Sequence, residues 1–104
     1  MIEKYILNIG LNDKNTKKQE LKTADALKII KKTLFNNGVE GYTIYNGFGL
    51  YKHDNGAITQ EKTVIIEFIY IQESLIDKII ELLKKELNQE SILKQKQELK
   101  IEFI

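Results

Sequence analysis

Residues 61–71 read EKTVIIEFIYI, and the reading of this stretch decides the fold. Its β-branched and aromatic side chains favour an extended strand. Val64, Ile66, Phe68 and Tyr70 alternate onto one face and Ile65, Ile69 and Ile71 onto the other, so both faces are mostly apolar. Such a strand belongs in the interior of a sheet. Just upstream, residues 39–51, VEGYTIYNGFGLY, read as a second strand, with Asp54-Asn55-Gly56 supplying the turn between the two. Just downstream, Ser74 and Asp77 have capping-box spacing, and Leu75, Ile76, Ile79, Ile80, Leu83 and Leu87 form an apolar stripe that predicts a helix over 75–87.

The ends of the chain complete the pattern. In residues 2–11, IEKYILNIGL, the odd positions Tyr5, Leu7, Ile9 and Leu11 are apolar, as a half-buried strand requires. Thr16 and Gln19 have the spacing of a short helical turn. Thr23 is placed to cap a helix over 24–36, with Ala26, Leu27, Ile30 and Leu34 on one face and Asn37-Gly38 as its stop. Leu99, Ile101 and Phe103 alternate with Lys100 and Glu102 and predict a last strand, preceded by a short extended piece at 91–93. The order β-α-β-β-α-β implies an α+β, ferredoxin-like fold, a four-stranded antiparallel sheet with two helices on one face, as a single domain over 1–104. The other sheet face then lacks a cover. Ile65, Ile69 and Ile71 are expected there, joined by Ile6 and Tyr45, which points to the interface of a homodimer or homotrimer.

Composition narrows the chemistry. The chain has no cysteine, so disulfides, thiol nucleophiles and thiolate metal sites are excluded, and His53 is its one histidine. No catalytic residue, metal or cofactor is expected. All 16 basic residues are Lys, so the guanidinium fork that reads phosphates and guanine edges is missing and nucleic acid is disfavoured as a partner. Residues 1–52 carry nine Lys against five acids, and residues 53–104 carry seven Lys against ten. Lys14, Lys17, Lys18, Lys22, Lys28, Lys31 and Lys32 cluster around the first helix, either as a weak basic patch or as a solvated helix face. No stretch has the roughly 18 apolar residues of a membrane span, and the chain opens on Glu3 and Lys4 rather than on an apolar leader, so a cytoplasmic protein is expected.

Residues 41–51, with three glycines and three tyrosines, are the most unusual local composition. Glycine lets backbone N–H groups approach a ligand closely, which makes Tyr45, Asn46, Gly47, Gly49 and Tyr51 a candidate small-ligand site, extended by His53 and Glu61. A bulge or bend with tyrosines packed on the sheet accounts for the same residues. Gly47-Phe48-Gly49 is no phosphate loop, since the third glycine and the following helix are absent. His53 is a loop residue that becomes a general base only with a carboxylate such as Asp54 or Glu61 beside it.

The run GYTIYNGFGLY at 41–51, then Gly56-Ala57-Ile58, Glu61-Lys62-Thr63 and Asn88-Gln89-Glu90-Ser91-Ile92-Leu93, resembles the bacterial family called domain of unknown function 3574. That family has a G-x-T-V-x-x-G-x-G-x-W core, a G-x-I-x-x-E-[KR]-[ST] segment and a late Q-E-S-V-L. The resemblance covers about residues 41–104, with Tyr51 where Trp is usual. It implies a ferredoxin-like fold and no settled activity. More distantly, the layout is similar to PII-like signal proteins, trimers that bind small anionic ligands between subunits, although their diagnostic loop and basic residues are not recognisable here. The leading expectation is a non-catalytic, oligomeric binding or regulatory protein with a small anionic ligand. One alternative is a phage- or mobile-element-type inhibitor of a host protein, such as an anti-defence or anti-CRISPR protein. Another is a small enzyme using His53 or Glu61.

Overall fold

Where apolar alternation and helical stripes begin and end fixes the elements, and the computed structural model, which describes residues 2–104, follows them closely. The elements are β1 (Ile2–Gly10), α1 (Thr23–Asn36), β2 (Thr43–Lys52), β3 (Ile58–Ile69), α2 (Glu73–Glu86) and β4 (Leu93–Leu99). The strands form one antiparallel sheet in the order β2-β3-β1-β4, the ferredoxin-like arrangement. Tyr5 lies opposite Phe68, Leu7 opposite Ile66 and Ile9 opposite Val64, so these six side chains share one face. That face is buried with Ala26, Ile30 and Leu34 of α1 and Ile76, Ile79 and Leu83 of α2. Fully burying each Leu, Ile or Phe stabilises the fold by about 1.5–3 kcal/mol. Among the described residues no helix is long and apolar enough to cross a membrane.

The last strand departs from the sequence reading. β4 is not the alternating stretch at 99–103 but the polar LKQKQEL before it. Leu99 already faces Ile2, the first residue of β1, so residues 100–104 have no strand opposite them. What favours the polar segment is its reach to α2. Lys94 Nζ donates to Glu73 Oε2 at 2.6 Å and to Asp77 Oδ1 at 2.7 Å, and Lys96 Nζ donates to Glu73 Oε1 at 3.1 Å. The carboxylates of Asp77 and Glu73 push the Lys94 ammonium up to about 12, and Lys94 followed by Lys96 holds the Glu73 carboxyl below its usual value.

Smaller differences have local causes. β3 begins at Ile58, three residues before the expected start, because Ile58–Gln60 pair with Leu50–Lys52. Both helices begin one or two residues early, with Lys22 and Gln72 as N-caps that make no side-chain cap bond, so neither the expected Thr23 cap nor the Ser74–Asp77 capping box forms. Thr16 and Gln19 belong to a turn closed by an Asn12–Gln19 bridge. Tyr70 has φ 56°, ends β3 and redirects the chain, so Ile71 packs against the hydrophobic core and not on the open face where the alternation placed it. Ile80 is half-buried at the edge of the core, and Ile76 takes the central place, because residues 76, 79 and 83 lie on one stripe.

This phasing gives a direct test. Ile79→Ala should lower unfolding free energy by about 2–5 kcal/mol, and Lys78→Ala on the exposed side by less than about 0.5 kcal/mol, in denaturant titrations. Equal effects would show that α2 is mis-phased.

Candidate functional site

The register that buries the even residues of β3 turns its odd residues to the uncovered face. There Gly47 lies opposite Thr63, Gly49 opposite Glu61 and Tyr51 opposite Thr59, while Gly10 of β1 faces Thr63 from the other side. At the hairpin end of this face is a cleft of about 940 Å³. Asn8, Gly10 and Asn12 form one wall, Gly49, Tyr51 and His53 the other, Thr59, Glu61 and Thr63 the floor, and Lys14 and Lys17 part of the rim. The hairpin is closed by His53 N–H donating to Ala57 O at 2.8 Å and Gly56 N–H donating to His53 O at 2.9 Å, with Gly56 at φ 88°.

Glu61 is the centre of this arrangement. Its carboxylate lies directly over Gly10, where an added Cβ would meet it at 2.4 Å. Asn12 N–H donates to Glu61 Oε2 at 3.1 Å and the Tyr51 hydroxyl donates to Oε1 at 3.0 Å. Burial first, and then the Glu61 carboxylate, push the Tyr51 phenol above its ordinary value. The His53 ring meets Tyr51 edge-on at 5.5 Å, and its Nε2 lies 2.6 Å from Thr59 Oγ1. A carboxylate offers about four lone-pair positions, so two donors leave Glu61 about half its accepting capacity.

Of the residues the sequence nominated, Gly49, Tyr51, His53 and Glu61 come together in the cleft. Gly47 shares their face but lies beside the cleft. Tyr45 is farther down that face, with its hydroxyl donating to Glu67 Oε2 at 2.5 Å, and Asn46 lies opposite Val64, on the helix side of the sheet. Ile65 and Ile69 are half-buried on the open face as expected. Gly10 and Asn12 were not nominated. The available signal was a glycine at a position of β1 that the period-two pattern assigns to the open face. Past the other end of that face, where it meets the edge of the core, is a groove of about 790 Å³ lined by Tyr42, Ile69, Ile71, Leu75 and Leu99. Two of its charges, Lys4 and Glu67, pair with each other at 2.7 Å. Among the described residues no group of three His, Cys, Asp or Glu could hold a metal ion.

A family model described as "Protein of unknown function (DUF3574)" matches residues 4–103. No curated protein matches the sequence. Among solved structures, a phage SAM lyase in complex with S-methyl-5'-thioadenosine is similar in fold, with a TM-score of 0.71, 19% identity, and coverage of 93% of this chain and 81% of that one. B. subtilis GlnK in complex with ATP is similar at a TM-score of 0.58 and 15% identity, over 91% of this chain and 81% of that one. A DUF3240 family protein from Shewanella baltica gives a TM-score of 0.58 at 14% identity, over 98% and 94% of the two chains. At these identities the likeness is one of fold.

The three glycines of the open face are expected to behave differently. A Cβ at Gly47 would meet Ile65 Cδ1 at 2.6 Å and Thr63 Oγ1 at 2.8 Å, whereas one at Gly49 meets only Thr63 Cγ2 at 3.4 Å and Glu61 O at 3.8 Å. Gly47→Ala should therefore cost about 1–3 kcal/mol of stability by overpacking, and Gly49→Ala much less. Gly10→Ala should displace the Glu61 carboxylate while the fold persists, and the Tyr51 phenol should then ionise at lower pH in an NMR titration of tyrosine ring signals. An unchanged Tyr51 titration in Gly10→Ala would refute the role given to Gly10.

Proposed function

The chain belongs to the DUF3574 family, and we propose that it is a non-catalytic, homo-oligomeric binding protein for an adenosine-containing small molecule, held in the cleft around Glu61. The observation that carries this reading is the Glu61 carboxylate, fixed over Gly10 by Asn12 N–H and Tyr51 OH with accepting capacity directed at an open cleft. A pre-positioned carboxylate suits the paired hydroxyls of a ribose, since both oxygens accept without reorganisation. Tyr51 and His53 add aromatic surface for a base. Support also comes from the ligands bound by two proteins of similar fold, S-methyl-5'-thioadenosine and ATP, both built on adenosine.

Oligomerisation rests on the open face. Ile6, Ile65, Ile69 and Leu99 are half-buried there, and no helix covers them. A second copy of the chain is the occupant we assign to this surface. Ile65→Lys should give soluble monomer in light scattering, because a buried unpaired ammonium strongly opposes assembly. An unchanged assembly would remove the face from the interface.

The ligand is tested by thermal shift and calorimetry with adenosine, S-methyl-5'-thioadenosine, ATP and, as a control, uridine. Adenosine compounds should raise the melting temperature, since a ligand at 100 times its Kd adds about 2.7 kcal/mol. Glu61→Gln should weaken their binding about tenfold, a loss of about 1.4 kcal/mol. No shift with any adenosine compound would sink the proposal.

Cleavage of S-adenosylmethionine is a second reading. It is favoured by the phage lyase's TM-score of 0.71, against 0.58 for GlnK. Incubation with S-adenosylmethionine and chromatography for S-methyl-5'-thioadenosine decides it, with product formation lost in Glu61→Gln as the supporting result and no product as the refuting one.

A further inference from the structure

Lys14 and Lys17 line two cavities at once. They form part of the rim of the Glu61 cleft, and they also line a neighbouring cavity of about 500 Å³ together with Lys84 and Lys85 from the end of α2. Lys84 is paired with Glu81 at 3.6 Å, whereas Lys14, Lys17 and Lys85 have no carboxylate within 4.0 Å among the described residues. Glu90 is the remaining acid shared by the two cavities. Asp13, which also lines the cleft, is already committed: its Oδ1 accepts from Asn15 N–H at 2.8 Å and Thr16 N–H at 3.1 Å, and its Oδ2 accepts from Asn88 Nδ2 at 2.8 Å. Unpaired cations therefore predominate where the two cavities meet.

The lysine-bearing turn is also held in place. Lys14 N–H donates to Asn88 O at 3.0 Å, Gln89 Nε2 donates to Asn12 O at 2.8 Å, and Lys17 N–H donates to Asp13 O at 2.9 Å. Lys17 adopts φ 63°, so the turn reverses tightly over the end of α2. The same Asn12 that anchors this turn donates its backbone N–H to Glu61. The Glu61 carboxylate and the backbone of the lysine-bearing turn are thus held through one short segment, and Glu61, Lys14 and Lys17 line the same cleft.

Resting on the adenosine reading above, we infer that the ligand carries a polyphosphate chain which leaves the Glu61 cleft across Lys14 and Lys17 toward Lys85, so that its class is a nucleoside polyphosphate. A lysine ammonium binds phosphate oxygens as a compact charge, and such pairs weaken with salt. The nucleoside and the phosphates would then be recognised by separate groups, Glu61 and Tyr51 for the first and the turn lysines for the second.

The test is calorimetry at two ionic strengths with adenosine, ATP, S-adenosylmethionine and inorganic tripolyphosphate, on the unsubstituted protein and on a Lys14→Gln/Lys17→Gln variant. Among the described residues neither lysine side chain makes a hydrogen bond or ion pair, so the variant should keep its melting temperature. ATP should bind the unsubstituted protein at least tenfold tighter than adenosine, with an advantage that shrinks as salt rises. The variant should lose that advantage and keep its adenosine affinity. Equal binding of adenosine and ATP, tighter binding of S-adenosylmethionine than of ATP, or an ATP advantage that survives in the variant would each overturn the inference. If adenosine fails to bind while tripolyphosphate binds the unsubstituted protein and not the variant, the lysine site stands and the adenosine reading falls.

Discussion

The pairing of β1 with β3 is the constraint from which the rest of the molecule follows. Tyr5, Leu7 and Ile9 meet Phe68, Ile66 and Val64 on one face, and all six are essentially excluded from solvent. Because strand side chains alternate with a period of two, a slip of one residue would turn this whole set outward. The register is thereby fixed by apolar burial, and every odd residue of β3 is committed to the other side. Thr59, Glu61, Thr63, Ile65, Glu67 and Ile69 line the open face for that reason, and not for any local preference of their own. The cleft is a by-product of how the core closes.

This explains what the sequence could and could not disclose. Elements whose own residues carry the period were readable: β1, α1, β3 and α2 all appear close to their expected limits. β4 was not, because its polar LKQKQEL gains its place from Lys94 and Lys96 reaching Glu73 and Asp77 on another element. The alternating Leu99-Ile101-Phe103 was the better strand by propensity, yet β1 extends opposite it no farther than Ile2. Pairing partners outweigh intrinsic preference there. In the cleft, Gly49, Tyr51, His53 and Glu61 were found because they crowd into one hairpin, whose register two adjacent segments nearly determine. Gly10 and Asn12 lie at and just past the end of β1, about fifty residues away, and the β1–β3 register brings them to Glu61. Asn46 was misplaced for the complementary reason: neighbours in sequence along a strand point to opposite faces.

The two ends of the open face differ in how their charges are resolved. At the lower end, Lys4 pairs with Glu67 at 2.7 Å and the Tyr45 hydroxyl donates to the same carboxylate, so the group is complete within one chain. Lys4, then Tyr45, hold the Glu67 carboxyl below its usual value. At the upper end the Asn12 N–H and the Tyr51 hydroxyl, both neutral, donate to Glu61, and among the described residues Lys14 and Lys17 pair with no acid. Burial of a charge is tolerable when it is paired and hydrogen-bonded and costly when it is not. The lower end therefore carries its charges already paired, while at the upper end Glu61 keeps accepting capacity and the turn lysines keep their charge unpaired among the described residues.

Ligand and assembly are not independent if a second copy covers this face. Docking that copy would draw water away from Glu61 and from the turn lysines, and without a ligand their desolvation opposes association. A ligand whose hydroxyls satisfy Glu61 and whose negative charges meet the lysines removes that opposition. The free energy it contributes to assembly must equal the free energy assembly contributes to its binding, because the coupling between two equilibria on one molecule is reciprocal. A face that is apolar at its centre, internally neutralised at one end and incompletely satisfied at the other has the distribution of charge that such a coupling needs.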